Sequence, residues 1–366
     1  MAKKSATGPS GLIVVDKPAG MTSHDVVSKM RWIAGTRKVG HAGTLDPMAT
    51  GVLILGVNKA TKLLTWVVGE TKTYTTVMRL GLSTVTDDAE GDITEVASTV
   101  AVDSITEDMI AEQVAKLTGA IEQVPSSVSA IKVNGVRSYA RVRSGEDVQL
   151  DARPITVHSF EVHSVTPQTV QVERVLQTDE DGAATSTETV TASVLDVAAT
   201  VTCSAGTYIR ALARDLGAAL GVGAHLTQLR RTAIGEISVE DAYSLDALIA
   251  GREAEQAVPL LPIEEATRRL FTERLLTATE ATDLSNGRRI SPSPVTTEHT
   301  PASSPNHQQA GSKGGHDKPT TAGISAAFAP DGTLVALIEN TRWKREDVAS
   351  PILVFESGKT FEENPA

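Results

Sequence analysis

Gly40-His41-Ala42-Gly43-Thr44-Leu45-Asp46-Pro47-Met48-Ala49-Thr50-Gly51, followed at once by Val52-Leu53-Ile54-Leu55, decides how this 366-residue chain is read. Three glycines and one proline in twelve positions make a backbone that turns. Glycine admits φ > 0 and close approach of another segment, while Pro47 fixes its own φ and keeps Asp46 out of the helical region. The apolar run behind it reads as a buried strand. The stretch is thus a tight loop that presents one carboxylate, Asp46, from the edge of that strand. On its own, an Asp before Pro is as readily a residue that caps a turn.

Composition sets outer bounds. The length suggests one large domain and a smaller one, and 40% hydrophobic residues suffice for a core. The single cysteine permits no internal disulfide, which fits a reducing cytosol and a cytoplasmic protein. Met1-Ala2-Lys3-Lys4-Ser5 lacks an apolar signal-peptide core, and no window of about 18 apolar residues would span a membrane. A net charge of −11 argues at first against a nucleic-acid partner. Its distribution reverses this: residues 1–80 carry eleven Lys or Arg and only four acids, so the opening stretch is basic.

In chain order, residues 1–10 are polar and expected to be disordered. Leu12 to Val15 reads as a strand, Thr22 or Ser23 as an N-cap, and Val26, Val27, Met30 and Ile33 as a helix stripe ended by Gly35. Lys29, Arg31, Arg37 and Lys38 then place positive charge just before the Asp46 loop. Tyr74, Thr76, Met78 and Leu80 share one strand face, which makes Tyr74 a core residue on pattern alone. Thr84 to Glu95 reads as an acidic loop, and Ser104 to Glu107 as a capping box before a helix over Ile110, Val114 and Leu117. Residues 176–191 read as a polar hairpin loop or insertion. Cys203 lies in a half-buried strand as an inert thiol. Ile209, Leu212, Ala213 and Leu216 form the next helix stripe, with Arg210 and Arg214 on a different face, pointing away from the core. Residues 264–290 read as polar helix, 291–321 as a disordered insertion, and 326–338 as a hairpin turning at Asp331-Gly332.

The glycine-rich stretch resembles the active-site motif of the TruB type of tRNA pseudouridine synthases, which act on uridine 55 of the T arm. Other segments resemble that family in the same order: Gly11 to Ser23 with Asp16-Lys17-Pro18, Lys72-Thr73-Tyr74, Cys203 to Arg210, and Gly223 to Arg231. Gln123 to Ala140 resembles a further family segment more loosely, with Val128 where many members carry an aromatic residue.

The resemblance implies an α+β (mixed) fold. A catalytic domain over 11–262, with a central mainly antiparallel sheet flanked by helices, would precede a small, mostly-β, PUA-like RNA-binding domain over 263–366. It implies isomerisation of uridine 55 to pseudouridine on a flipped-out base, with Asp46 as nucleophile and Arg210 as its ion-pair partner. Tyr74 would stack on the base and help to remove the C5 proton, Leu229 would pack beside it, and Tyr208 would contact substrate. His41 reads either as an RNA contact or as a loop-stabilising hydrogen-bond partner. Lys17 and Pro18 would brace the Asp46 loop. No cofactor and no metal are implied, tRNA is the expected partner, and a monomer is expected. Two other readings stay open: a non-catalytic RNA-binding or RNA-chaperone protein on this fold, and a guide-dependent synthase subunit.

Overall fold

The computed structural model describes residues 8–126, 132–133, 136–137, 151–178, 184–292 and 323–363. Val128, Gly135 and Tyr139 of the looser motif lie outside them, as does the insertion from residue 293 onward. The opening unit comprises β1 (Gly11–Lys17), α1 (Ser23–Ile33), β2 (Val39–Ala42) and β3 (Thr50–Val57). β3 is the apolar run behind Asp46. Val52 and Ile54 enter one core cluster, while Leu53 and Leu55 enter another with Val26, Val27, Met30 and Ile33 of α1. A strand buried on both faces reads as a continuous apolar run for this reason. Thr22 caps α1 in a capping box with Asp25, and Gly35 follows it at φ +62°.

β4 (Lys72–Leu80), β5 (Leu82–Thr84), β6 (Ile93–Val96), α2 (Glu107–Lys116), β7 (Gly119–Gln123), β8 (Arg153–Thr178), β9 (Ala184–Cys203), α3 (Ile209–Ala219) and β10 (Ala224–Ile234) are the other main elements of the larger unit, with three two-residue strands, Ile237–Ser238, Tyr243–Ser244 and Leu261–Pro262, at the sheet's margins. Its thirteen-stranded sheet runs β1-β3-β10-β4-β9-β8-β6-β5 along its main path, with β2 on β3 and β7 on β8. Pairing is mainly antiparallel; β3 with β10 and β8 with β6 are parallel. Tyr74, Thr76, Met78 and Leu80 are all buried. Met78 and Leu80 meet the α3 stripe of Ile209, Leu212, Ala213 and Leu216 in the largest core cluster.

The C-terminal unit contains α4 (Ile263–Leu270), β11 (Thr272–Leu275), α5 (Ala278–Ser285), β12 (Ile324–Phe328), β13 (Leu334–Trp343) and β14 (Glu346–Val354). Its four strands form a separate sheet with a core of its own. Ile324, Phe328 and Leu337 also reach the cluster that holds Leu12, Val52 and Ile54, so the two sheets share a core. Among the described residues, no helix is long and apolar enough to cross a membrane.

Several local expectations are corrected. Residues 176–178 and 184–191 are strand, because β8 and β9 continue as a paired ribbon and backbone pairing needs no apolar side chains. Thr106, not Ser104, caps α2; Ser104 ends the short helix Thr99–Asp103. A strand, β11, interrupts the stretch expected to be helical over 264–290, since it finds a parallel partner in β12. Pro9 and Ser10, expected to be disordered, accept hydrogen bonds from Asn58 Nδ2 (2.8 Å) and the Lys59 N–H (3.2 Å).

Gly51 is the point where β1, β3 and β10 crowd together. Its φ is +99°, and a Cβ there would lie 2.1 Å from the Arg231 carbonyl oxygen. Gly51→Ala is expected to destabilise the fold by roughly 2 kcal/mol or more, read as a lower denaturant midpoint at unchanged m-value. A midpoint equal to wild type would contradict this packing.

Candidate active site

The loop between β2 and β3 is held from several sides. Ser23, at the start of α1, accepts from the Leu45 N–H (2.9 Å) and donates its hydroxyl to the Leu45 carbonyl (3.1 Å). The Lys17 ammonium donates to the carbonyls of Pro18 (2.9 Å), Met21 (2.5 Å) and Pro47 (3.1 Å), and the Gly20 N–H also reaches Pro47 (2.9 Å). Arg231 spans the loop's two ends, donating from Nε to the Val52 carbonyl (2.8 Å) and from Nη2 to the Gly43 carbonyl (2.9 Å). The Lys17 contact is the bracing expected of that residue. Lys17 is fully buried, and burial pulls its pKa down to about 8 while the Asp46 charge opposes that shift. Arg231, quoted in a motif but given no role from sequence, is the larger brace. Only the fold brings residue 231 to residue 43.

Asp46 keeps 36% of its side chain exposed. Facing it is Arg210, in the first turn of α3. Arg210 Nε donates to Asp46 Oδ2 (3.0 Å) and Nη2 donates to Oδ1 (3.2 Å), a two-pronged fork. Its Nη1 donates to the Thr86 carbonyl (2.7 Å) and Ser126 Oγ (3.3 Å), and lies 3.5 Å from Asp88 Oδ2. Arg210 is therefore not on a helix face that points away from the core: its side chain is 5% exposed. A guanidinium tolerates such burial only because each prong finds an oxygen.

The acidic segment between β5 and β6 supplies residues that sequence reading left as plain loop. Asp88 is buried beside Arg210, and its carboxylate accepts from Thr86 Oγ1 and the Glu90 N–H. Asp87 adopts φ +59° and accepts from Arg214 Nη1 (3.3 Å). Burial raises the Asp87 pKa and the Arg214 charge opposes it. Burial also raises Glu90, helped by the charges of Asp88 and Asp46. The only sequence signal was two adjacent acids in a short turn, which carries no information on a partner some 120 residues away.

The other expected residues fall nearby to differing degrees. Tyr74 and Leu229, on neighbouring strands, share the core cluster with Leu45 and Ala49 of the loop. Burial pushes the Tyr74 phenol up, against a smaller opposite effect from Arg231. Tyr208 caps α3 through its backbone, whose N–H and carbonyl are both held by the Gln123 amide (2.8 and 3.1 Å). His41 lies on β2 with a lowered pKa, caused first by burial and then by the neighbouring His24 and Arg231 charges. Its Nδ1 has no hydrogen-bond partner among the described residues, which form no loop-stabilising bond through that nitrogen. Cys203 is 1% exposed and its thiol is pushed up to about 11 by burial, as an inert thiol should be.

Two outcomes are expected. Arg210→Lys keeps the charge but replaces three donor nitrogens with one, so turnover should fall by about 10² or more, and the melting temperature should fall as well, because the buried Thr86 carbonyl, Ser126 and Asp88 lose their guanidinium partner. Turnover within a few-fold of wild type would show that the fork is dispensable. Cys203 should resist iodoacetamide at pH 8 in the native protein and react fully once unfolded; rapid native alkylation would contradict its placement.

Residues 31–181 match the family model described as TruB family pseudouridylate synthase (N terminal domain), and residues 210–267 match tRNA pseudouridylate synthase B C-terminal domain. The chain is 52% identical over 349 residues to the tRNA pseudouridine synthase B of Paenarthrobacter aurescens (strain TC1), covering 95% of this chain and 96% of the relative. It is 47% identical over 330 residues to the protein of that name from Leifsonia xyli subsp. xyli (strain CTCB07), covering 90% and 92%. Among solved structures, a chain of an H/ACA RNP bound to a substrate RNA containing 2'-deoxyuridine superposes with TM-score 0.59 at 22% identity, over 96% of this chain and 87% of that one. A chain of a Cbf5-Nop10-Gar1 complex gives 0.58 at 23%, over 96% and 85%. These two likenesses bear on the fold alone. The two family models, the identity to full-length relatives and the order of the quoted motifs agree: the chain belongs to the TruB family of pseudouridylate synthases.

Proposed function

We propose that this chain converts uridine 55 in the T loop of tRNA to pseudouridine, with Asp46 as the nucleophile. The observation that carries this reading is the Asp46 carboxylate itself. It is the accessible end of a loop braced by Ser23, Lys17 and Arg231, and it is oriented by the buried Arg210 fork. The names of the relatives supply the substrate class.

The reaction breaks the N1–C1′ bond, turns the base and forms a C5–C1′ bond. N1 gains a proton and C5 loses one, so no electrons and no second substrate are consumed. A carboxylate assists by bonding to C1′ or to C6 and leaving again once the base has turned. A charge that is spent and restored must be oriented throughout. Arg210 does this, because its other contacts to Thr86, Ser126 and Asp88 hold it when Asp46 is engaged. The target base must leave its stack, and the Tyr74 and Leu229 side chains offer it an apolar bed. Lys29, Arg37 and Lys38 are exposed at the end of α1 and just after it, where RNA phosphates would meet them. A monomeric, cytoplasmic enzyme is part of the same reading.

The purified chain alone, given a naked T-arm stem-loop, should produce one pseudouridine, at the position of uridine 55, by chemical mapping. Conversion only after adding a guide RNA or partner proteins would favour the guide-dependent reading. Tight binding without conversion would favour a binding protein.

A further inference from the structure

We propose that Asp87 and Arg214 are positioning residues for the reaction: an outer ion pair that sets the place of the buried Arg210 and, through it, of the Asp46 carboxylate. The inference rests on Asp46 acting as the nucleophile. Arg210 and Arg214 stand four residues apart on α3, so both side chains leave the same side of the helix. Away from Asp46, Arg210 is held by three oxygens: the Thr86 carbonyl, Ser126 Oγ and Asp88 Oδ2. These come from two segments, one after β5 and one after β7. Arg214 grips the same two segments. Its Nη1 donates to Asp87 Oδ2 (3.3 Å) and its Nη2 to the Val124 carbonyl (2.7 Å). Asp87 lies between Thr86 and Asp88 in the chain, and Val124 lies two residues before Ser126. A shift of Arg214 therefore moves the oxygens on which Arg210 rests.

Asp87 is the joint of this arrangement. Its φ of +59° is left-handed, a conformation that Asp adopts more readily than most residues. Its backbone is clamped on both sides: the carbonyl accepts from the Leu226 N–H of β10 (3.0 Å), and the N–H reaches the Thr84 carbonyl (3.4 Å). In this conformation its two chain neighbours both face one nitrogen, Arg210 Nη1, which lies 2.7 Å from the Thr86 carbonyl and 3.5 Å from Asp88 Oδ2. The Asp87 carboxylate is 13% exposed, and the Ser126 hydroxyl lies against it as well as against Arg210. Arg214 is steadied in turn by Asp215, whose Oδ1 accepts from Nε (3.0 Å) and Nη2 (2.9 Å).

The reaction makes this support matter. While Asp46 is bonded to substrate its charge is spent, and Arg210 then depends on its outer oxygens alone. A group that orients a reacting atom must be held to about 0.5 Å. The Asp87–Arg214 pair fixes the two segments that do so, although neither residue approaches Asp46 closely enough to bond with it.

Two variants test this. Asp87→Asn keeps the side chain's size and its tolerance of positive φ, and removes the charge; Arg214→Gln removes the guanidinium from the other end. Single-turnover conversion of tRNA, per folded molecule, should slow about tenfold in each, with tRNA affinity within about twofold; a misplacement of about 1 Å can cost as much as 10². Arg214→Lys should recover part of the rate. The double variant should be no slower than the slower single one, and in an Arg210→Lys background Arg214→Gln should cost less than about twofold more, because the fork it positions is already lost. Wild-type rates per folded molecule, even with a lower melting temperature, would make the pair a latch for the fold and overturn the proposal. So would a loss of affinity equal to the loss of rate, the full tenfold cost on top of Arg210→Lys, or a wild-type rate in Asp87→Gly, which would show that the turn suffices without the carboxylate. If wild type makes no pseudouridine, or Asp46→Asn converts tRNA as fast, the reading of Asp46 fails and takes the outer pair with it. If wild type converts tRNA, Asp46→Asn does not, and the Asp87 and Arg214 variants match wild type, only the outer pair fails.

Discussion

The fork between Arg210 and Asp46 is the interaction around which the larger unit is arranged. It joins residues 164 positions apart, one in the first turn of α3 and one on the loop between β2 and β3. Its two ends differ: Asp46 reaches solvent, while Arg210 does not. A buried guanidinium left with one partner would be costly, so the chain surrounds it with the Thr86 carbonyl, Ser126 and Asp88. These come from the segments after β5 and β7. The site is a shared product of distant segments, each of which contributes few oxygen atoms.

The same logic governs the loop. A seven-residue connection with three glycines nearby would sample many conformations if free. Here a hydroxyl, an ammonium and a guanidinium, all buried, hold its carbonyls and one N–H. The ordering is completed during folding, so a substrate would meet a carboxylate already in place. Gly43 and Gly51 sit where Arg231 approaches most closely, with a Cβ 3.2 Å from its Nη1 at the first and 2.1 Å from its carbonyl oxygen at the second. The glycines therefore serve the brace as much as the turn.

Much of this was legible in the sequence, and the reasons are specific. β3 was visible because a strand buried on both sides is apolar throughout. β4 was visible from its period of two, and α1 from its cap and stripe. The motif containing Asp46 was visible because glycine and proline constrain the backbone locally. Arg210 was nominated by resemblance, yet helical periodicity alone put it on the wrong face, since periodicity ranks residues by hydrophobicity and a well-paired guanidinium is buried in spite of it. Asp87, Asp88 and Ser126 escaped notice because their roles are purely topological. The β8–β9 ribbon was missed over 184–191 because strands that expose both faces carry no apolar alternation.

Tritium release from tRNA labelled at C5 of uridine, compared between wild type and Asp46→Asn, tests the centre of this account most directly. Asparagine preserves the size of the side chain and removes its charge, so the loop and RNA binding should survive. Release by wild type, none by the variant, and tRNA affinity within about threefold is the expected result. Equal release by both proteins would mean that the carboxylate the fold so carefully holds is not the group that performs the reaction.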